Sequence, residues 1–163
     1  MLDHSADEIT TDEADKIIKT IDEDLGTEKL EFHTGISYRH CLLWRDAPDF
    51  KDFVRPHDIL GQRIGEHLPP EPFLSLIRQS REILDNHPIN VARIARGLKP
   101  ANCIWLWSPG KKPTLPSFEE KWGLKASVIS AVDLIKGIGL CAGMESIDVE
   151  GATGNVNTNY SGK

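Results

Sequence analysis

Apolar residues near the start of the chain recur at the spacing of one helix face. They follow the i, i+3, i+4, i+7 pattern and are Ala14, Ile17, Ile18, Ile21 and Leu25. Thr10 and Glu13 form a Thr-x-x-Glu capping box ahead of this run, and Gly26 follows it where a helix commonly stops. The pattern therefore predicts a first helix that begins after Thr10 and ends before Gly26.

Shorter apolar runs predict the rest of the first hundred residues. Residues 29–33 and 36–45 are typical of a strand pair with a tight link at Thr34-Gly35, and the proline-rich stretch 46–72 is typical of a long loop. Helical spacing returns from Phe73 to about Asn86, and residues 88–97 favour a short helix. Residues 101–107 are apolar on both faces, which predicts a buried strand.

The last fifty residues show a different order of elements. After a loop at 108–116, the apolar run 126–132 predicts a buried strand. Asp133 can cap a following helix and Gly143 can end it. Residues 146–149 then predict a second strand. Strand, helix and strand in this order indicate a parallel βαβ unit. The predicted class is α/β, with a mixed α+β domain at 1–112 and a strand-helix-strand segment of a parallel sheet at 113–163.

Composition and charge narrow the function classes. The 163 residues carry a net charge of −6, which argues against nucleic-acid binding, and no apolar stretch reaches membrane-spanning length. The acidic N-terminus lacks the apolar core of a signal peptide. Three widely spaced cysteines, each beside apolar residues, indicate buried free thiols in a reducing compartment. We therefore expect a cytoplasmic protein without nucleic-acid or membrane partners; the oligomeric state stays open.

Basic residues in the first domain are candidates for an anion site. Arg39 and His40 are adjacent on a predicted strand, while Arg93 and Arg96 share a face of a predicted helix. Guanidinium groups bind carboxylate and phosphate through two parallel hydrogen bonds. Convergence of these residues would make an anion pocket. The alternative is that they form ion pairs with the many Asp and Glu side chains.

Two further segments supply polar candidates. The loop sequence RPHDILGQRIG contains His57 and Asp58, a pair that can orient a ligand or transfer a proton, and Asn102 lies in the predicted strand at 101–107. The chain contains no HExxH, GxSxG, paired CxxC or P-loop motif. Its six histidines are dispersed. The inventory for catalysis is therefore poor, and we expect no metal site that this chain could complete alone.

Several long strings resemble one enzyme family. The strings are the opening LDHSADEITTDEAD, then SYRHCLLWR, HDILGQRIGEHLP, HPINVARIARGLKPANCIWLWSPGKKPTLPSFEEKWGLKASVISAVDLIKGIGLCAGM and VEGATGNVNTNYSGK. Together they are similar to archaeal-type, cofactor-independent phosphoglycerate mutases. This group belongs to the alkaline-phosphatase superfamily, and bacterial members have been labelled proposed homoserine kinases or phosphonopyruvate decarboxylase-related proteins. The resemblance covers nearly the whole chain.

The resemblance implies an activity, a substrate and the location of the catalytic residues. The family interconverts 2- and 3-phosphoglycerate through a phosphoenzyme. Its two divalent metals (Mn, Mg or Zn) and its nucleophile lie in segments outside the matched region. This chain would be an internal fragment, with the substrate-holding inserted domain and part of the metal-binding domain. The expected substrate-binding residues are Arg39, His40, His57, Asp58, Arg93, Arg96 and Asn102. The alternatives are a homoserine kinase-like phosphotransferase and a non-catalytic anion-binding module.

Overall fold

The structure, a computed structural model, describes residues 1–50, 53–154 and 156–163. The chain forms two compact units, Met1–Gly110 and Lys111–Lys163. The elements of the first unit are α1 (Thr11–Leu25), β1 (Leu30–Thr34), β2 (His40–Trp44), α2 (Phe73–Leu84) and α3 (Pro88–Ala95). Those of the second are α4 (Phe118–Trp122), β3 (Ser127–Val128), α5 (Asp133–Cys141) and β4 (Glu145–Ser146). This mixture of helices and small sheets is the predicted α/β class.

Helix α1 is the central element of the first unit and has the predicted bounds. Thr10 Oγ1 accepts a hydrogen bond from the Glu13 N–H at 3.3 Å, so the predicted cap is present. Gly26 ends the helix where a Cβ atom would lie 2.2 Å from the Asp22 carbonyl oxygen. The apolar face of α1 forms the core with residues from before the helix and from α2, a cluster of Ile9, Ala14, Ile17, Ile21 and Leu84.

Strands β1 and β2 form an antiparallel pair in which Leu30 faces Trp44 and Thr34 faces His40. The pair was predicted, but β2 begins four residues later than the expected start at 36. Ser37 has a left-handed φ of 58°. Its N–H donates to Thr11 Oγ1 at 3.1 Å and its hydroxyl donates to the Ile9 carbonyl at 2.6 Å. Residues 35–39 are therefore held by the start of α1 and not by β1.

Residues 101–107 are irregular, and the prediction of a buried strand there is wrong. Side chains of helices α2 and α3 pair with three backbone groups of this segment. Asn90, 1% exposed, donates to the Ala101 carbonyl and accepts from the Ala101 N–H, both at 2.9 Å. Ser80 Oγ accepts from the Ile104 N–H at 3.1 Å. The apolar run therefore packs along the helices without joining a sheet.

The second unit contains the predicted βαβ arrangement in short form. Strands β3 and β4 pair in parallel through Ser127 with Glu145 and Val128 with Ser146, and α5 connects them. Gly139 of α5 allows close packing, because a Cβ atom there would lie 2.5 Å from Val128 Cγ1. The order of elements was predicted, whereas helix α4 was not.

Two details of the second unit differ from the prediction. The run 126–132 is not buried: Ile129 is exposed and Val128 is half-buried, because a two-residue strand pair covers little apolar surface. Asp133 is the first residue of α5 and not its cap, a position that Val132 occupies. Gly143 follows the helix with a φ of 72°, so the predicted helix end is confirmed.

The predicted loop at 46–72 contains two 3₁₀ turns, Pro56–Ile59 and Gly65–His67, in its described part. Positions 51 and 52 of this loop, and position 155 in the C-terminal GATGNVNTNYSGK string, lie outside the described residues. Among the described residues, no helix combines the length and hydropathy needed to cross a bilayer. The cysteines are not buried as expected: Cys41 is exposed, and Cys103 and Cys141 are half-buried.

Candidate anion-binding site

Four aromatic rings and one guanidinium form a continuous surface group in the first unit, here named the ring cluster: His4, Tyr38, Arg39, His57 and Trp107. The His4 ring meets Tyr38 edge-on at 5.4 Å between centroids and His57 at 6.0 Å. The His57 ring meets Trp107 at 5.4 Å. Arg39 lies over the Tyr38 ring at 4.2 Å and donates to its hydroxyl oxygen at 2.6 Å. The cluster brings together two imidazoles and a cation.

The 3₁₀ turn Pro56–Ile59 presents His57 to this surface. Pro56 and Ile59 are buried and anchor the turn, while the side chains of His57 and Asp58 are 42% and 60% exposed. His57 Nε2 lies 3.7 Å from Asp58 Oδ1. Asp58 is therefore the carboxylate beside the imidazole, and it can orient the ring or hold its proton.

The segment that carries His4 is fixed by a second group, the Lys99 cluster of Asp3, Ser5, Asp7 and Lys99. Asp3 accepts from the Ser5 N–H and hydroxyl at 2.7 and 2.8 Å and from the Asp7 N–H at 2.9 Å. Lys99 Nζ donates to Asp3 at 2.9 Å and to Asp7 at 2.7 Å. Hydrogen bonds to Asp7 and Asp3 raise the pKa of Lys99. The one ammonium thus pairs with both carboxylates and offsets part of their negative charge.

These contacts hold a strained turn. Ala6, Asp7 and Glu8 have φ values of 48°, 51° and 51°, a left-handed conformation that costs about 1–2 kcal/mol for each residue with a side chain. Ser5 Oγ accepts from the Glu8 N–H at 3.2 Å, and the Ser5 carbonyl accepts from the Ile9 N–H at 3.0 Å. The turn persists because its polar groups are paired.

Acid should weaken the folded state through Asp3. Burial raises the pKa of Asp3, but hydrogen bonds from Asp7, Lys99 and Ser5 outweigh it and hold the pKa well below the ordinary 3.8. The native chain therefore binds fewer protons than the unfolded chain below that pH. The stabilisation is present above pH 3.8 and is lost as the pH falls.

We expect the urea midpoint to fall on acidification below about pH 4, and Asp3→Asn to flatten this dependence. Asp49→Asn, at an exposed carboxylate, serves as the control. An Asp3→Asn profile as steep as that of the unchanged chain would contradict the assignment.

Arg93 and Arg96 converge on one carboxylate, the Glu13 cluster. Arg93 is 2% exposed and pairs with Glu13 Oε2, with the Ala6 carbonyl and, at 3.0 Å, with the Lys99 carbonyl. Arg96 is 54% exposed and pairs with Glu13 Oε1. Burial raises the pKa of Glu13, but the hydrogen bonds and charges of the two arginines lower it below the ordinary value.

The substrate-binding residues predicted from the sequence thus do not form one continuous group of contacts. Arg39, His57 and Asp58 belong to one surface, with His57 joined to Arg39 through the rings of His4 and Tyr38. The described contacts of Arg93 and Arg96 are with Glu13, with backbone carbonyls of α3 and with Ala6 and Lys99. Asn102 is exposed in the irregular segment 101–107.

His40 begins β2, and its Nδ1 accepts a hydrogen bond from the Gly35 N–H at 3.3 Å. The residue has exposed surface, yet desolvation lowers the pKa of its ring. A neutral ring is the form that can accept this bond. His40 therefore contributes no positive charge to an anion site at neutral pH.

Sequence reasoning missed His4, Tyr38, Trp107 and the Lys99 cluster. The Asp3-x-Ser5 spacing is a local signal, because an aspartate side chain commonly accepts from the backbone N–H two residues later. Nothing local indicates that Lys99 joins this turn. No group of three or more His, Cys, Asp or Glu side chains among the described residues could hold a metal ion.

Known proteins resemble the chain along its length. The sequence profile described as 2,3-bisphosphoglycerate-independent phosphoglycerate mutase matches residues 1–90. A Geobacter sulfurreducens protein named "Probable 2,3-bisphosphoglycerate-independent phosphoglycerate mutase" is 48% identical over 100% of the chain. The 2,3-bisphosphoglycerate-independent phosphoglycerate mutase of Methanosarcina barkeri is 46% identical over 99% of it. The chain spans 42% of the length of each of these relatives.

A solved structure is also similar. The cofactor-independent phosphoglycerate mutase from Thermoplasma acidophilum matches with a TM-score of 0.52 at 25% identity, over 85% of this chain and 41% of that one. Sequence and fold therefore agree, and the chain belongs to the 2,3-bisphosphoglycerate-independent phosphoglycerate mutase family.

Proposed function

We propose that this chain is part of a phosphoglycerate mutase that interconverts 2- and 3-phosphoglycerate without bisphosphoglycerate as cofactor. The observation that carries the proposal is the family match over residues 1–90, extended by 48% identity to a relative across the whole chain. A cytoplasmic location follows from this proposal, because glycolytic intermediates are used there.

The ring cluster is the surface that we assign to the substrate. Phosphoglycerate carries a phosphate and a carboxylate, and an exposed guanidinium can bind either group through two hydrogen bonds. Arg39 offers such a group on the surface that it shares with His57 through the rings of Tyr38 and His4, and Asp58 lies close enough to His57 to hold its orientation. Arg39 and His57 would bind and orient the anion while the phosphoryl group changes position, and Asp58 would act by holding His57.

The other residues predicted from the sequence have different roles in this proposal. Arg93 is enclosed and fully paired, so it would support the site by fixing α3 to α1. Arg96 is half-exposed and could exchange Glu13 for a ligand carboxylate or phosphate at the same guanidinium. His40 would accept or donate one uncharged hydrogen bond, and Asn102 would offer its amide to a ligand oxygen.

The described residues of this chain provide no ligand set for the metals that the family resemblance implies. The described residues contain no suitable group of carboxylates, imidazoles or thiols, so they do not fit a divalent pair. We propose that the metal ligands and the nucleophile belong to the part of the relatives that this chain does not match. In the same proposal, residues 1–112 form the inserted substrate-holding domain and 113–163 part of the metal-binding domain.

The test is to follow the reaction of the full-length gene product by ³¹P NMR. Supplied with 3-phosphoglycerate and a divalent metal, and without bisphosphoglycerate, it should produce the 2-phosphoglycerate signal. A parallel sample receives homoserine and ATP. Phosphohomoserine formation without mutase turnover would overturn the proposal in favour of the kinase, and no turnover in either sample would favour the non-catalytic anion-binding module.

A further inference from the structure

His4 carries an unpaired nitrogen in the middle of the ring cluster. Within the described part of the chain, its Nδ1 is the only buried side-chain nitrogen or oxygen atom without a hydrogen-bond partner. A buried N–H without an acceptor costs about 1–3 kcal/mol, and orphaned donors are rarer in proteins than orphaned acceptors. The tautomer with the hydrogen on Nε2 avoids burying an unpaired N–H and leaves Nδ1 as a bare acceptor.

The opposite side of the ring then presents a donor. Nε2 makes no hydrogen bond among the described residues and is not one of the buried unpaired atoms, so solvent reaches it. The edge contacts with Tyr38 and His57 fix the plane of the ring. His4 therefore offers one oriented N–H at the surface of the cluster.

The charges around this N–H favour an anion. Arg39 stacks on the same Tyr38 ring that His4 touches. Asp3, the carboxylate next to His4 in sequence, is saturated by Ser5, Asp7 and Lys99 and cannot take the N–H in this arrangement. Asp58 is the carboxylate beside His57, with 3.7 Å between its Oδ1 and His57 Nε2. The Arg39 guanidinium and the His4 N–H are thus two donors that an anion can use on this surface.

We propose that His4 is a ligand-contacting residue whose Nε2–H donates to a carboxylate or phosphate oxygen of an anion bound by Arg39. The identification of that anion as phosphoglycerate rests on the proposed function. The site itself requires only a small anion of this chemistry. Lys99 serves as its positioning residue, because it holds the turn from which His4 projects.

Three substitutions separate a donor from a packing role. The amide nitrogen of glutamine can occupy the position of Nε2, whereas that of asparagine reaches only the position of Nδ1. His4→Phe keeps the ring contacts and removes both nitrogens. In the full-length gene product we expect His4→Phe and His4→Asn to raise the KM for 3-phosphoglycerate about tenfold, the size of one charge-assisted hydrogen bond, with His4→Gln near the unchanged protein.

If the ring only packs, His4→Phe will be the best tolerated of the three, and that result would overturn the proposal. Melting temperatures identify any variant that fails to fold. A direct measurement needs no substitution: ¹⁵N-histidine NMR of the unchanged full-length protein during titration with 3-phosphoglycerate and, separately, with inorganic phosphate.

Saturable shifts of the His4 ring nitrogens in either titration support the site. Shifts with phosphate in a protein without mutase turnover would support His4 as an anion contact while rejecting the proposed function. Mutase turnover with unmoved His4 signals would reject the His4 contact alone. No shift with either anion would likewise overturn it.

Discussion

Arg93→Ala is expected to lower the free energy of unfolding of the first unit by about 3–5 kcal/mol, the usual effect of removing one partner of a buried ion pair. The guanidinium is 2% exposed, and its loss would leave Glu13 Oε2, the Ala6 carbonyl and the Lys99 carbonyl without the donor that Arg93 supplies. It also joins α3 to the strained turn at Ala6. Urea unfolding followed by circular dichroism measures the change.

Arg96→Ala is the matched control, because Arg96 pairs with the same carboxylate from a position 54% exposed. Exposed pairs contribute about 0–1 kcal/mol, so this variant should unfold close to the unchanged chain. Equal losses for the two variants would contradict the structural role of Arg93.

Arg39→Ala is expected to reduce kcat/KM for 3-phosphoglycerate in the full-length gene product by roughly 10- to 150-fold, the range for one lost hydrogen bond to a charged group. The side chain is exposed and contacts Tyr38, so its removal should leave stability nearly unchanged. Arg39→Lys keeps the charge and loses the planar fork, and should recover only part of the activity. Steady-state kinetics measures all three proteins.

Arg45→Ala provides the control for a general charge effect. Arg45 is an exposed arginine directly after β2, paired with Glu31 and outside the ring cluster. Its removal should leave kcat/KM within about twofold, since exposed pairs of this kind carry little energy. An Arg39→Ala enzyme as active as Arg45→Ala would remove Arg39 from the substrate site.

Long periodic segments of the fold were predictable from sequence. The bounds of α1 agree with its cap, its apolar period and Gly26, because each of these signals acts within a few residues of the helix. Residues 101–107 were not predictable in the same way. Their backbone groups pair with the side chains of Asn90 and Ser80, and a pattern of apolar residues carries no information about such distant partners.

In the candidate site, too, the sequence predicts local features but not contacts between distant residues. The i, i+3 spacing of Arg93 and Arg96 predicts a shared face, and both do reach Glu13. That carboxylate belongs to the chain itself, which is the ion-pair alternative left open by the sequence. His4 and Trp107 join the ring cluster from opposite ends of the first unit, more than a hundred positions apart. Only the folded chain could place them together.

The most direct test of the central claim is a chimera. The segment of the Methanosarcina barkeri relative that matches this chain, 42% of its length, is replaced by residues 1–163, and mutase activity is measured beside the unaltered relative. We predict a folded chimera that converts 3-phosphoglycerate to 2-phosphoglycerate and whose kcat/KM falls roughly 10- to 150-fold with Arg39→Ala. A chimera that melts as cooperatively as the unaltered relative measured beside it, yet shows no turnover, would contradict the assignment of this chain to phosphoglycerate mutase function.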